Sequence, residues 1–140
     1  MTSISAVVVT WNSAEVLPGC LATLEGADEV VVVDNGSKDS TREVAASFSG
    51  VRVIANPDNR GLAAANNQGL VATCGDAVLI CNPDVIFHPG AVAELAAALE
   101  RHARAGWVEP HLLYEDGETH TSAGDLPSLG EALLGSQLGR

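Results

Sequence analysis

Three short polar clusters, each closing a run of apolar residues, carry most of the chemistry in this sequence. They are Thr10-Trp11-Asn12 after Ile4 to Val9, Asp34-Asn35-Gly36-Ser37 after Val30 to Val33, and Asn82-Pro83-Asp84 after Ala77 to Cys81. A buried strand has no packing reason to finish on a carboxylate, so such strand ends are candidates to face a ligand. Asp34 can accept two hydrogen bonds from a base-edge N–H or a ribose hydroxyl, and Gly36 lets the backbone turn closely around a flat ring. The same four residues also read as a plain turn followed by a helix cap. In Asn82-Pro83-Asp84, Pro83 stiffens a turn that can aim Asp84, a hard oxygen ligand, at a divalent cation bridging two phosphates. An Asx-type turn ahead of a helix near Pro89 is the alternative.

Two further segments belong with these. Asn56-Pro57-Asp58-Asn59-Arg60-Gly61 introduces a helix on which Asn66-Asn67-Gln68 fall where apolar residues would be expected. Amides on an otherwise alanine-rich helix are expected to face a polar cleft, against the simpler reading of a solvated helix surface. The formal net charge is −11, with seven Lys and Arg spread along the chain, so no basic stripe exists to neutralise a nucleic-acid backbone. An acidic protein that holds a phosphorylated ligand needs a cation or aimed backbone N–H groups, which again points to a metal. No two glycines are spaced as GxG, and no P-loop, GxSxG or HExxH motif occurs. His88, His102, His111 and His120 show no ligand-like spacing, so no zinc site is expected. Cys20, Cys74 and Cys81 form no CxxC pair and are expected to be buried, reduced and structural.

The elements that would position these residues follow from periodicity. Ile4 to Thr10, Val30 to Val33, Val51 to Ile54 and Ala77 to Cys81 are β-branched apolar runs, as expected for parallel strands covered on both faces. Between them lie helices. The first is expected to open at Asn12 with Glu15 in capping-box spacing and to bury Leu17, Cys20, Leu21 and Leu24; the second opens at Ser40 with Glu43 and buries Val44 and Phe48. A third spans about Gly61 to Ala72, and a fourth starts with Pro89 at its first position and ends near Ala105 and Gly106. This alternation predicts an open, doubly wound α/β sheet whose ligands bind beyond the carboxyl ends of the strands. Beyond Val108, Leu112 to Tyr114 and Glu118 to Thr121 flank Asp116-Gly117, which predicts a small hairpin near residues 112–121. Leu129, Leu133, Leu134 and Leu138 would share one face of a terminal helix.

Taken in order, Val7-Val8-Val9-Thr10-Trp11-Asn12, Val31-Val32-Val33-Asp34-Asn35-Gly36-Ser37, Asn59-Arg60-Gly61, Ala65-Asn66-Asn67 and Asn82-Pro83-Asp84 resemble family 2 glycosyltransferases, with the nearest likeness to the rhamnosyltransferase-type branch. The resemblance covers about residues 4–130. It implies a GT-A, Rossmann-like sheet, mostly parallel with helices on both faces. It also implies a nucleoside-diphosphate sugar donor, dTDP- or UDP-linked and rhamnose in the nearest branch, Mg²⁺ or Mn²⁺ at a DxD-like site, and inversion at the anomeric carbon. Carried over by position, Thr10, Trp11, Asn12, Asp34, Asn35, Gly36, Arg60 and Asn82 would line the nucleotide-sugar site. Asn66 would sit near the donor phosphates, and Asp84 would be the metal ligand.

Two departures qualify the likeness. Asn82 stands where many relatives carry the first Asp of DxD, although a neutral amide can still bond ribose or a metal-bound water. Family members also usually continue for another hundred or more residues, so residues 1–110 read as the nucleotide-sugar-binding domain and 111–140 as a hairpin and apolar tail beginning an acceptor region the sequence does not contain. Glu115 and Asp116 mimic the family's Glu-Asp base pair, but Asp116-Gly117 reads as a solvated hairpin tip that cannot hold a base against the donor sugar. The leading expectation is transfer of a sugar to a hydroxyl of a glycan or lipid-linked acceptor in cell-wall or polysaccharide biosynthesis. The alternatives are a nucleotide-sugar-binding fragment without turnover and an assembly subunit that dimerises or joins a partner through its terminal apolar helix. No run reaches the roughly 18 apolar residues of a membrane span. The expected location is therefore the cytoplasm, at the membrane's inner face only through the acceptor.

Overall fold

The computed structural model describes residues 2–114 and 116–120, which form two compact units divided at Val108 and Glu109. Glu115, Thr121 and the proposed apolar face of Leu129, Leu133, Leu134 and Leu138 lie outside the described residues.

In the first unit four parallel strands, β1 (Ile4–Thr10), β2 (Glu29–Asp34), β3 (Val51–Ala55) and β4 (Ala77–Cys81), form one sheet in the order β3-β2-β1-β4. Strand β1 lies at its centre, every residue of it buried, with Val7 beside Val31 on one flank and Ile80 on the other. Side chains alternate across the sheet, so two apolar layers result. Ile4, Ala6, Val8 and Val32 pack with Leu17, Cys20, Ala45, Phe87 and Val92 on one face, while Val7, Val9, Val31 and Val33 pack with Ala65 on the other.

Helices α1 (Leu17–Thr23), α2 (Thr41–Ser47) and α4 (Ala91–Arg101) supply the first layer and α3 (Leu62–Ala72) the second. Helix α3 can lie close because Gly69 faces Val7 and Val33; a methyl group there would collide with the Val7 side chain. The crossovers through α1 and α2 step the chain one way from β1. The crossover through α3, on the other face, carries it back past β2 and β1 to β4. Keeping all three crossovers right-handed forces that change of face. The strand order therefore reverses between β1 and β4, and a crevice must open at their carboxyl ends.

All four strands fall where the apolar runs place them, and α2 and α3 open at Ser40 and Gly61 as expected, but α1 and α4 start later and the expected capping bonds are not made. Helix α1 begins at Leu17, without a side-chain cap, because Asn12 is used elsewhere: it adopts a positive φ of 51° and its Oδ1 accepts the Lys38 N–H at 2.8 Å. At α2, Ser40 makes no capping bond; Asp39 Oδ1 accepts the Thr41 N–H at 3.1 Å instead. Helix α4 starts at Ala91 after Gly90 in the left-handed region, two residues beyond Pro89, and stops at Arg101. Cys20 is buried and Cys81 half-buried, but Cys74 is exposed in the turn after α3, where its N–H meets Glu29 Oε2 at 3.1 Å. The expectation of a buried Cys74 fails because the chain has by then left the helix and reached the open amino edge of the sheet.

The second unit contains the expected hairpin, β5 (Leu112–Leu113) against β6 (Thr119–His120), antiparallel, with Gly117 at φ 83° in the turn. Among the described residues no helix is long and apolar enough to cross a membrane.

Candidate functional site

A cleft of about 250 Å³ opens where the topology requires it, lined by Val9, Thr10, Trp11 and Ser13 from the end of β1, Asn82 and Pro83 from the end of β4, and Asn35, Asn59 and Leu62. The three polar clusters thus come together. Within its rim Trp11 is 56% exposed and presents a flat apolar surface.

The floor is more tightly built than the sequence suggests. Asp34 has no exposed surface, and its Oδ2 takes a 2.6 Å bond from Arg42 Nε and a 3.1 Å bond from the Ser37 N–H. Among the described residues its Oδ1 meets only the Thr10 hydroxyl, at 3.5 Å. Asp34 thus holds its own loop through Oδ2. Asn35 is likewise committed: its Oδ1 accepts from the Arg60 N–H at 3.0 Å and from Asn56 Nδ2 at 3.3 Å, and its Nδ2 donates to Asn59 Oδ1 at 2.9 Å. Asn59 Oδ1 also takes the Gly61 N–H. Asn56, buried at the end of β3, donates on to Gln68 Oε1 at 2.9 Å. This chain of amides pins the loop between β3 and α3 against the loop after β2. Gly36 permits that contact, since a Cβ there would lie 2.6 Å from the Asp58 carbonyl carbon and φ is 83°.

Of the amides on α3, only Gln68 joins this network; Asn67 is exposed. Asn66 is half-buried, and its Oδ1 is shielded from solvent with no partner among the described residues. Arg60 is exposed beside the cleft, and its side chain has no ion pair among the described residues.

Across the cleft, Asn82 is exposed and its carbonyl receives the Cys20 thiol at 3.6 Å. The Cys81 thiol is pushed well above its usual range, first by its hydrogen bond to Cys20 and then by burial, which keeps it protonated beneath the Asn82-Pro83-Asp84 turn. Asp84 is exposed in the turn that follows β4. Among the described residues no three His, Cys, Asp or Glu side chains converge on a metal-sized space. One open carboxylate at a strand end nevertheless suits a hard divalent cation, which commonly takes one or two protein carboxylates and completes its shell with phosphate oxygens and water. Asp116 is exposed in the hairpin turn of the second unit, where its Oδ1 accepts the Glu118 N–H, and Glu115 lies outside the described residues.

The loop after β1 is tied to the N-terminus of α2 through Asp39, whose carboxylate accepts from Thr41 and from the Ala14 N–H. These bonds, the Thr41 hydroxyl first, hold the Asp39 carboxyl below its ordinary range. An unfolded chain therefore binds this proton first as the pH falls, so the stability contributed is present above the ordinary carboxylate range and is lost as pH drops through the lowered folded value. Asp39→Asn is expected to lower the melting temperature at neutral pH and to converge on the parent in acid. A difference of equal size at both pH values would sink this assignment.

Arg42 is the residue that sequence reasoning misses. A signal was present: a carboxylate ending a buried strand needs a counter-charge, and within eight residues only Lys38 and Arg42 are basic.

An open parallel sheet with a polar crevice at its switch point is the arrangement of the doubly wound α/β class, whose ligands bind beyond the carboxyl ends of the strands. The chain belongs to glycosyl transferase family 2, whose model matches residues 5–133, and its fold is GT-A. It is 34% identical to an N-acetylglucosaminyl-diphospho-decaprenol L-rhamnosyltransferase of Mycobacterium tuberculosis, over 92% of this chain and 48% of that one. The chain thus spans about half or less of the curated relatives it matches. Among solved structures, S. aureus TarS residues 1–349 superposes with TM-score 0.65 at 23% identity, covering 81% of this chain and 40% of that one, a likeness of fold. Glucosyl-3-phosphoglycerate synthase of Mycobacterium tuberculosis, with Mn²⁺, uridine diphosphate and glucosyl-3-phosphoglycerate, superposes at TM-score 0.61 and 29% identity, covering 70% and 39%.

Proposed function

We propose that this chain holds the donor in an inverting, metal-dependent glycosyl transfer from a dTDP- or UDP-sugar, rhamnose first among the candidates, to a hydroxyl of a glycan or lipid-linked acceptor. The observation that carries the reading is the position of the cleft: it lies at the β1/β4 switch point, walled by all three polar strand ends. The relatives support the donor class, since one is a rhamnosyltransferase by name and another holds uridine diphosphate with Mn²⁺.

In this reading Thr10, Trp11 and Asn12 form the nucleoside end, with the exposed Trp11 ring offering a stacking surface. Asp34, Asn35 and Gly36 set the shape of that end from beneath. Arg60 supplies a positive charge to the base or phosphates, and Asn66 would sit near the donor phosphates. Asn82 bonds ribose or a metal-bound water, and Asp84 holds Mg²⁺ or Mn²⁺. The bound cation would offset the charge that develops on the leaving diphosphate. The donor would approach through its metal and neutral amides, which is what a chain of net charge −11 requires.

The cleft wall as described contains no carboxylate to take the acceptor's proton. That favours a second reading, in which these residues bind donor without turning it over. Either reading is tested by calorimetric titration with dTDP and UDP, with and without Mn²⁺. Metal-strengthened binding is expected, and a folded chain that binds neither nucleotide rejects the donor site. Transfer of label to an acceptor would then reject the second reading.

A further inference from the structure

Two arginine–carboxylate pairs brace the sheet, one at each edge. At the amino edge Arg52 Nη2 meets Glu29 Oε1 at 2.7 Å and also donates to the Ala72 carbonyl. Both partners there are partly exposed, and the pair touches nothing in the cleft. At the carboxyl edge Arg42 Nε meets Asp34 Oδ2 at 2.6 Å, and the carboxylate is wholly buried. The same guanidinium extends Nη2 to two carbonyls, Ser37 at 3.4 Å and Asn56 at 3.3 Å.

Those carbonyls belong to different loops. Ser37, after β2, receives the Asn12 N–H on its Oγ at 2.8 Å, so the loop after β1 hangs from it. Thr41, next to Arg42, receives the Ser13 N–H at 2.8 Å. Asn56, after β3, bonds Asn35, which in turn orients Asn59 and the Arg60 backbone. Trp11, Ser13, Asn35 and Asn59 of the cleft wall thus all belong to loops held within a few hydrogen bonds of one guanidinium, which does not itself line the cleft. A planar, five-donor fork can satisfy a carboxylate and two carbonyls together; an ammonium cannot keep that geometry.

We propose that Arg42 is a positioning residue for the donor cleft, fixing three strand-end loops relative to one another through Asp34, Ser37 and Asn56 without touching the ligand. The inference rests on the donor-site reading above. Its test is calorimetric titration of dTDP and UDP into the parent chain and into Arg42→Ala, Arg42→Lys and Arg52→Ala, below the melting temperature of each. Arg42→Ala is expected to weaken binding about tenfold, equally with and without Mn²⁺, and Arg42→Lys by less, since it keeps the charge but loses the fork. Arg52→Ala is expected to melt lower yet bind within about twofold of the parent, because it removes an arginine–carboxylate pair of the same sheet far from the cleft.

Binding by Arg42→Ala within twofold of the parent would overturn the inference and leave the donor site standing. Equal weakening by Arg52→Ala would overturn it too, since the effect would then be general loss of stability. A parent chain that binds neither nucleotide removes both the donor site and the role given to Arg42. If Arg42→Ala does not fold, Arg42→Lys and Arg42→Gln decide: parent-like affinity in both overturns the inference.

Discussion

Replacing Asp84 with alanine is expected to abolish the Mn²⁺-dependent part of nucleotide binding while leaving the fold and the metal-free affinity in place. The argument starts from charge. The chain is strongly acidic, its cleft wall offers amides, hydroxyls and an indole, and Arg60, the neighbour of the cleft-lining Asn59, has no ion pair among the described residues. A diphosphate entering such a site needs a cation, and Asp84 is the carboxylate that follows the cleft-lining Asn82 and Pro83. With Asp84 as the carboxylate proposed to hold the ion, its loss should weaken Mn²⁺-dependent binding by about a hundredfold, about 2.7 kcal/mol. Asp84 is exposed in its turn, so its removal leaves no buried group unpaired. Asp76→Asn makes the same charge change at the amino edge, where Asp76 bonds Ser3, and should leave the Mn²⁺ increment unchanged. Titration of UDP with and without Mn²⁺ into all three proteins decides the matter. An intact increment in Asp84→Ala would remove this residue from the metal site.

How much of this could be read in the sequence differs between strands and loops for a physical reason. Strands that are covered on both faces must be apolar throughout, so Ile4 to Thr10 and Val30 to Val33 announced themselves by composition, and the polar residues ending them marked the ligand edge. The alternation with helices implied a doubly wound sheet with ligands at the carboxyl ends of its strands, but not the strand order that sets the face change at α3 and the cleft between β1 and β4. Loop geometry was not legible in the same way, because short polar side chains have many possible partners. Asn12 and Glu15 have capping-box spacing, but Asn12 instead bonds the loop after β2, and α1 starts later. Ser40 is a good capping residue by type, yet Asp39 lies where its carboxylate reaches Thr41 and Ala14 together. The roles of Asp34 and Asn35 changed most. By type they offer hydrogen bonds to a ligand; in the folded chain those bonds are spent on Arg42, Asn56, Asn59 and Arg60. Residues that shape a site and residues that touch its ligand carry the same side chains, and only three-dimensional partners separate them.

That separation leads to the second large effect, expected from Gly36→Ala. Two penalties meet at this position. The first is conformational: at φ 83° an L-residue is strained by about 1–2 kcal/mol. The second is steric, and it falls on backbone that cannot swing aside. A Cβ at Gly36 would lie 2.6 Å from the Asp58 carbonyl carbon, 2.7 Å from the Asp58 Cα and 3.0 Å from the Asn59 nitrogen. Overpacking against fixed atoms commonly costs about 1–3 kcal/mol more. Gly50→Ala separates the two, because Gly50 has φ 81° with nothing within 4 Å of its added Cβ and lies at the opposite edge of the sheet, before β3. With about 4 °C lost per kcal/mol in a domain of this size, Gly50→Ala should lower the melting temperature by about 4–8 °C and Gly36→Ala by at least about twice as much. The functional difference should be larger still. Relief of the clash must push the loop after β3 away from the loop after β2, which breaks the bond from Asn35 Nδ2 to Asn59 and that from the Arg60 N–H to Asn35 and displaces Asn59 from the cleft wall. Gly36→Ala should therefore bind dTDP or UDP at least about tenfold more weakly at temperatures where it remains folded, while Gly50→Ala binds like the parent. Equal melting shifts in the two variants would mean that the loops yield without strain. Parent-like affinity in Gly36→Ala would mean that the contact between them does not shape the cleft.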